Sequence, residues 1–156
     1  MKKHKFLSGL IMLLLGGVFF MTSCSDDDEE TLSLIGSWEV SAAVFNPPVD
    51  ANGDSVLDTD AYAMLFSQPC DQDNLFIFED GGVSKNDEGA VKCDSLNPQQ
   101  TVGTYTHSSS IITIIEGTDT TVFNDAVITN TTLTGTVTFN LDSANVAHVD
   151  FTMIRQ

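Results

Sequence analysis

The side chains most suggestive of a ligand site lie in the segment Asp50–Asp58. Oxygen donors at loop positions 1, 3, 5 and 9, with a backbone carbonyl at position 7, are what an EF-hand-like calcium loop supplies, because Ca²⁺ prefers six to eight hard oxygen ligands. These positions are filled here by Asp50, Asn52, Asp54, Asp58 and, for the carbonyl, Val56. Ser55 stands where the turn favours glycine, and Ala61 stands where a bidentate carboxylate is needed. The segment therefore predicts a weak calcium site, with a surface turn that needs no metal as the alternative.

Other candidate groups form no convincing catalytic set. Glu79 and Asp80 fall at the end of a predicted strand, where a solvated face is expected. His107 and Ser109 lie in a serine-rich hairpin tip, which offers neither burial nor an oxyanion hole. The sequence has no phosphate-binding glycine loop and no metal-binding pair of histidines. We therefore expect that the protein is not an enzyme.

Residues 1–23 have the pattern of a secretion signal. A basic start is followed by the apolar stretch Phe6–Phe20, which is shorter than a transmembrane helix. Thr22-Ser23-Cys24 resembles the cleavage site of bacterial lipoproteins, although Met21 stands where leucine is usual. The resemblance implies a lipidated Cys24 that attaches the protein to a membrane through acyl chains. An uncleaved signal anchor is the alternative.

The lipidated cysteine would be followed at once by a run of acidic residues, Asp26–Glu30. Consecutive like charges remain solvated, so residues 24–33 are predicted to form a flexible tether. The run is similar to the export signal of lipoproteins in Bacteroidetes-type bacteria. That resemblance implies a lipid-anchored location in the outer membrane, exposed on the cell surface.

Two cysteines remain once Cys24 is assigned to lipid attachment, namely Cys70 and Cys93. An exported protein meets an oxidising compartment, and an even remainder favours a disulfide. The chain-entropy model gives such a bridge a contribution of roughly 3.5 kcal/mol to the free energy of unfolding. A zinc site is the alternative, but it lacks ligands because His107 and His148 are distant in sequence from both cysteines. The pattern predicts a Cys70–Cys93 disulfide.

The charge balance limits the partners of the protein. The chain has 22 acidic and 6 basic residues, a formal charge of −16. Removal of the signal leaves three basic residues against the same 22 acidic ones, a formal charge of −19. Such a surface repels phosphate backbones, so nucleic-acid binding is excluded. A hydrophobic fraction of 42% argues against global disorder, and residues 34–156 have the length of one domain.

Alternating apolar residues predict antiparallel β structure in this domain. The even positions of Trp38–Val44 are apolar, a period of two that is typical of a half-buried strand. Leu133–Phe139 and Val149–Met153 repeat the pattern, which places His148 on an outer, polar face. Short apolar runs between residues 75 and 128 bring the total to about eight strands. Tight turns without βαβ spacing favour an antiparallel barrel or sandwich.

One interruption follows Pro47-Pro48, which is predicted to end the first strand. Residues 60–67 are expected to form two turns of helix, with Tyr62, Leu65 and Phe66 turned inward. Such a helix would lie across one end of the barrel.

Gly36-Ser37-Trp38 resembles the opening strand of lipocalin-like domains, in which a glycine, any residue and a tryptophan follow one another. The likeness extends over residues 34–154 to the lipocalin-like lipoproteins of Bacteroidetes-type bacteria, through the order of several short motifs. These motifs are Cys70-Asp71-Gln72-Asp73, Phe76-Ile77-Phe78, Asp80-Gly81-Gly82, Cys93 and Gly103-Thr104-Tyr105. Gly82 and Tyr105 depart from the usual threonine and tryptophan. The resemblance implies an all-β, up-and-down lipocalin-like barrel with one short helix, in which Trp38 closes the base.

Two functional hypotheses follow. The first is a cell-surface lipoprotein whose barrel binds a small apolar or amphiphilic ligand. The second is a non-catalytic accessory lipoprotein of the outer membrane that binds a protein or glycan partner. In that case the interior is filled by Phe76, Phe78, Phe123, Phe139 and Phe151. An eight-stranded barrel accommodates either interior, and a shared fold does not fix a ligand.

Three short segments also resemble the O-glycosylation motif of the same bacteria. They are Asp54-Ser55-Val56, Asp94-Ser95-Leu96 and Asp142-Ser143-Ala144. A motif of this length occurs readily by chance, and the intact mass of natively purified protein would test it.

Overall fold

The computed structural model describes residues 32–96, 100–141 and 146–156. The predicted signal peptide, Cys24, the tether as far as residue 31 and the motif Asp142-Ser143-Ala144 lie outside the described residues. Nine strands and one helix follow in order. They are β1 (Gly36–Val49), β2 (Asp58–Asp60), α1 (Tyr62–Leu65), β3 (Leu75–Glu79), β4 (Val83–Asp87), β5 (Gln100–Ser108), β6 (Ile111–Glu116), β7 (Asp119–Ile128), β8 (Thr132–Asn140) and β9 (Val146–Arg155).

Eight of these strands close into an up-and-down antiparallel barrel. Each consecutive pair from β3 to β9 is hydrogen-bonded, while β1 pairs with β3 on one side and with β9 on the other. β2 lies outside this cycle and pairs with the far end of β1. The barrel expected from the sequence is confirmed, and its closure protects the edges of these eight strands.

The barrel has two ends, which we call the base and the mouth. The base is the end at which β1 begins and at which three turns lie, at residues 80–82, 109–110 and 129–131. The mouth is the opposite end. It holds the β6–β7 turn at residues 117–118 and the longer segments 50–57, 61–74 and 88–96. The described chain therefore enters the barrel at the base.

β1 departs from a simple two-residue alternation. Trp38 and Val40 face the core as predicted, but a β-bulge directly after Val40 shifts the register against β9. Beyond the bulge Ala43 and Phe45 are buried, whereas Val44 is exposed. The predicted inward position of Val44 is wrong, because one extra residue moves every following side chain to the other face.

Pro47-Pro48 does not end β1, which continues to Val49. The two prolines fall between the pairs that Val44 and Val49 form with β2, where the register is irregular. A proline there removes no regular ladder hydrogen bond, so the strand tolerates it.

α1 is a single turn, shorter than the two turns predicted, and it lies beside β1. Tyr62 and Phe66 pack against the core, and their ring centroids are 4.9 Å apart. Leu65 is 40% exposed, so its predicted inward orientation is wrong. Ala61 fixes the segment instead, because it is fully buried and its N–H donates to the carbonyl of Ala43 at 3.0 Å. Among the described residues, no helix is both long and apolar enough to cross a bilayer.

The hydrophobic core is densest in the half of the barrel nearest the base. Its largest fully buried side chains there are those of Trp38, Phe78, Ile112, Leu133 and Met153. All buried members of the core lie between residues 34 and 153. The unit Thr31–Gln156 therefore contains its complete core.

Candidate ligand-binding site

The base of the barrel is sealed by Trp38 and Arg155. The indole N–H of Trp38 donates to the carbonyl of Leu34 at 2.8 Å, and the Arg155 guanidinium carbon lies 4.1 Å from the indole ring centroid. The same guanidinium donates to three backbone carbonyls, those of Ser33, Ile35 and Asn130, at 2.6, 2.7 and 2.9 Å. These bonds join the chain that enters β1 to the β7–β8 turn.

The absence of a side chain at Gly36 leaves space for the Arg155 guanidinium at the base. The Gly36 φ of +137° is rare for residues with a side chain, and a Cβ there would come within 2.5 Å of Arg155 Nη1. Sequence reasoning assigned the base to Trp38 and missed Arg155. Its role could have been predicted from the sequence. Arg155 is the single arginine, and alternation along β9 places it on the same face as the inward-facing Met153.

The predicted disulfide between Cys70 and Cys93 is confirmed, with Cα atoms 5.2 Å apart. Because the two sulfur atoms are bonded to each other, neither is free to bind zinc. The bridge joins the segment before β3 to the segment after β4, at the mouth. Asp73 reinforces this link, since its Oδ2 accepts hydrogen bonds from the N–H groups of Ala90 and Val91 at 2.7 and 2.8 Å.

Between the base and the mouth, one side of the barrel interior is polar. We call it the polar wall and define it as Ser84, Asn86, Thr101, Gly103 and Glu116. Strand pairing places Ser84 opposite Gly103 and Asn86 opposite Thr101. A Cβ on Gly103 would lie 2.8 Å from Glu116 Cγ and 3.0 Å from Ser84 Oγ. The glycine thus leaves the space in which the side chains of Ser84 and Glu116 approach each other.

Much of the remaining interior toward the mouth is lined by aromatic side chains, together with smaller ones such as Ala147 and Val149. We call the aromatic side chains the aromatic wall and define it as Phe45, Phe76, Phe123, Phe139 and Phe151. The Phe151 ring lies 5.8 Å from that of Phe123 and 6.2 Å from that of Phe139, between centroids. Phe76 and Phe139 are only half-buried, whereas the other three rings are buried. The aromatic wall therefore keeps an accessible edge.

A depression of about 310 Å³ opens at the mouth end of the polar wall. It is lined by Asp71, Asn74, Asn86, Glu88, Cys93 and Thr101. Asn86 and Thr101 belong to the polar wall, and Cys93 belongs to the disulfide. The depression therefore lies between the polar wall and the disulfide. Its volume lies at the lower end of the range for small-molecule sites.

Two oxygen atoms at this site are buried without a partner. Ser84 is only 2% exposed, and among the described residues no group hydrogen-bonds to its Oγ. Asn74 Oδ1, in the depression, is likewise buried and unpaired within the described chain. Buried polar atoms are nearly always hydrogen-bonded, so these oxygens mark places where a donor would be stabilised.

Glu116 experiences an unfavourable environment for negative charge. Burial raises the pKa of its carboxyl group, and the charge of Asp119 raises that pKa further. Asp119 is the cross-strand neighbour of Glu116 at the mouth. A second anion at this position would therefore be repelled.

The three basic side chains in the described chain are each engaged by another group. Lys85 pairs with Glu79 on the outer face of β4, while Lys92 pairs with Asp87 at 3.3 Å. Arg155 is held at the base. The polar wall and the depression consequently contain acceptors and acidic groups without a basic side chain among the residues that line them.

The predicted calcium loop is organised by hydrogen bonds from its own backbone. Asp50 accepts from the N–H groups of Gly53, Asp54 and Ser55 at 2.7, 3.1 and 2.9 Å. The other predicted ligands contribute similar bonds: Asn52 accepts from Asp54, Asp54 from Val56 and Asp58 from Ala51. The carboxylates of Asp50, Asp54 and Asp58 do not gather within 4.8 Å of one another. The geometry is that of an Asx-rich turn, and calcium binding stays a prediction.

Within the described residues, the histidines and serines that the sequence pattern singled out lie outside the barrel interior at the mouth. His148 is exposed on the outer face, where its Nδ1 lies 3.0 Å from Thr138 Oγ1. At the base, His107 Nε2 lies 3.0 Å from the backbone carbonyl of Ser109 rather than from its hydroxyl. Ser55 and Ser95, in two of the glycosylation motifs, are exposed. Their modification stays a prediction.

Comparisons of the chain with protein-family models, with curated proteins and with solved structures each gave no match. The likeness of Gly36-Ser37-Trp38 to lipocalin-like domains therefore stays a prediction about family. The barrel is a property of this chain's own structure.

Proposed function

We propose that this protein is a lipid-anchored cell-surface lipoprotein whose barrel binds a small amphiphilic ligand at its mouth. The observation that carries the proposal is the contrast within the barrel interior. Trp38 and Phe78 near the base are fully enclosed, whereas Phe76, Glu116 and Phe139 near the mouth are only half-buried. We infer from this contrast that the interior forms a shallow cup near the mouth, above a solid base.

The two walls explain why the ligand would be amphiphilic. An alkyl chain or ring against Phe76 and Phe139 would gain about 25 cal/mol per Å² of apolar surface removed from water. A polar group on the same molecule would reach the polar wall at Ser84 and Glu116. A purely apolar ligand would leave that wall without partners.

A dye-binding experiment tests the proposal. The neutral dye N-phenyl-1-naphthylamine should fluoresce with the unit Thr31–Gln156 and should be displaced by a lipid extract of the cells that make the protein. Phe139→Ala should weaken dye binding, because it removes an accessible ring from the aromatic wall. Val127→Ala is the matched control, since Val127 is 58% exposed on the outer face of β7. No fluorescence change, or equal effects of both substitutions, would contradict the proposal.

The surface location rests on Cys24 and the acidic run that follows it. Protease added to intact cells should cut the protein while a periplasmic marker survives. Cleavage that requires a breached outer membrane would contradict a surface location.

The accessory function is a second candidate, and burial of Phe78, Phe123 and Phe151 favours it. Exposed apolar side chains near the mouth, such as Leu57 and Leu96, would then contact a protein partner. Capture of an outer-membrane partner without dye binding would favour this candidate.

A further inference from the structure

We propose that the polar group of the ligand is a cation of the primary alkylammonium class, held where Ser84 and Glu116 approach each other across Gly103. This inference rests on the proposed function, because it names the chemistry of the ligand for the same cup. It goes beyond that function by excluding fatty acids and other anionic amphiphiles as the preferred ligands.

The hydroxyl of Ser84 is unpaired within the described residues. The residue is 2% exposed and faces the interior. Leaving a buried polar group unsatisfied is costly, so the position is stabilised by a ligand that supplies a donor. A carboxylate offers acceptors only, whereas an ammonium group offers three donors.

The charged side chains around this position are acidic. Glu116 lies beside Ser84 at Gly103, and Asp119 adds a like charge across the β6–β7 hairpin. Asp71 also lies nearby, in the depression that adjoins the polar wall at Asn86 and Thr101. Within the described residues, no basic side chain lines that depression or belongs to the polar wall, so an anionic head group would meet acidic side chains there and no cationic one.

The polar wall offers further side-chain oxygen atoms close to Ser84. Asn86 and Thr101 carry further acceptors one cross-strand pair nearer the mouth than Ser84 and Gly103. An ammonium at Glu116 could therefore direct its three donors toward a carboxylate, a hydroxyl and one of these side chains. Its alkyl chain would extend along the aromatic wall.

Three probes of equal chain length separate the alternatives: n-octylammonium, 1-octanol and octanoate, each titrated calorimetrically into the unit Thr31–Gln156 at pH 7. Octylammonium should bind at least about tenfold more tightly than octanol, and octanoate most weakly, because a charge-assisted hydrogen bond in a partly desolvated site favours the cation. Equal affinities, or tighter binding of octanoate, would overturn the inference while leaving the proposed function intact. Failure of all three to bind would overturn the proposed function itself.

Matched substitutions locate the effect. Glu116→Gln should lower the affinity ratio of octylammonium to octanoate by about tenfold, because it removes the charge at the site. Asp80→Asn makes the same change of charge on an exposed turn at the base and should leave the ratio unaltered. Equal changes in both variants would mean that net charge alone attracts the cation, which contradicts a specific site.

Ser84→Ala provides a readout that a purely structural residue would not give. Removal of an unpaired buried hydroxyl should leave the melting temperature unchanged or raise it, while octylammonium binding weakens by several-fold. A lowered melting temperature with unchanged affinity would show that the hydroxyl stabilises the fold rather than a ligand.

Discussion

The base and the mouth of this barrel are built by the same strands but follow different physical rules. At the base, each of the three guanidinium nitrogens of Arg155 donates to a backbone carbonyl, and Trp38 is enclosed. On the polar wall and in the depression at its mouth end, Ser84 Oγ and Asn74 Oδ1 are buried without partners in the described chain. A satisfied region stabilises a fold, whereas an unsatisfied one commonly marks a functional site.

The two ends also differ in how the chain is fixed. Short turns close the base, whereas long segments form the mouth and are fixed by the disulfide and by Asp73. Binding residues often lie on loops of this kind, which a rigid scaffold holds in position. We therefore expect that truncating a core side chain at the base lowers stability more than truncating one at the mouth, and that truncation at the mouth weakens ligand binding.

The largest expected effect is at the base. Trp38→Ala should lower the free energy of unfolding by about 3–5 kcal/mol, because it leaves a cavity and removes the ring over which Arg155 stacks. Phe139→Ala at the mouth should cost about 1–2 kcal/mol, since its ring is only half-buried. Urea unfolding of both variants measures the difference. Equal losses in the free energy of unfolding would contradict the proposed difference between the base and the mouth.

The next effect concerns the disulfide. Replacing both Cys70 and Cys93 with serine should lower the free energy of unfolding by about 3.5 kcal/mol in the chain-entropy model. Amide hydrogen exchange should then accelerate in the segments 66–74 and 88–96 but not in β8 and β9. Uniform acceleration throughout the barrel would show that the bridge holds the whole fold and not the mouth.

A smaller effect should appear as a pH dependence of stability. Hydrogen bonds from Thr136 and then Asn46, at 2.6 and 2.7 Å, hold the pKa of the Asp150 carboxyl below its ordinary value. The stabilisation is therefore complete above the unfolded pKa of about 4 and is lost as pH falls through the folded pKa. Asp150→Asn should lose less stability than the wild type between pH 6 and pH 2.5. Identical acid profiles in urea unfolding would exclude this role for Asp150.

The smallest expected effect is that of calcium on the melting temperature, because hydrogen bonds already organise the Asp50–Asp58 loop. If the loop binds calcium, the wild type should melt at a higher temperature in millimolar calcium than in chelator, and Asp54→Ala should remove that difference. Thr59→Ala, outside the set of predicted ligands, is the control. A wild-type melting temperature that is indifferent to chelator would contradict a calcium site.

Much of the barrel could be predicted from alternation, but the details that create the site could not. β8 and β9 were predictable because threonine and apolar residues occupy opposite faces. The bulge after Val40 was hidden, because Ala42, Ala43 and Val44 are apolar on both faces of β1. An alternating pattern contains no signal for one inserted residue.

The polar wall was beyond sequence reasoning for another reason. Ser84 and Glu116 are far apart in sequence, and both lie beside Gly103 only because of the registers of β4 with β5 and of β5 with β6. Those registers depend on closure of the whole barrel. Trp38 and the disulfide were accessible to sequence analysis, because each depends on a local motif or on a count of cysteines.

The central claim is that the mouth holds a small molecule above a solid base. Native mass spectrometry of the unit Thr31–Gln156, purified without detergent from the envelope of the cells that make it, tests that claim most directly. We predict a reproducible small-molecule adduct that survives gentle desolvation and is reduced in Glu116→Gln. A bare protein mass, with the disulfide intact and at most a calcium ion bound, would contradict it.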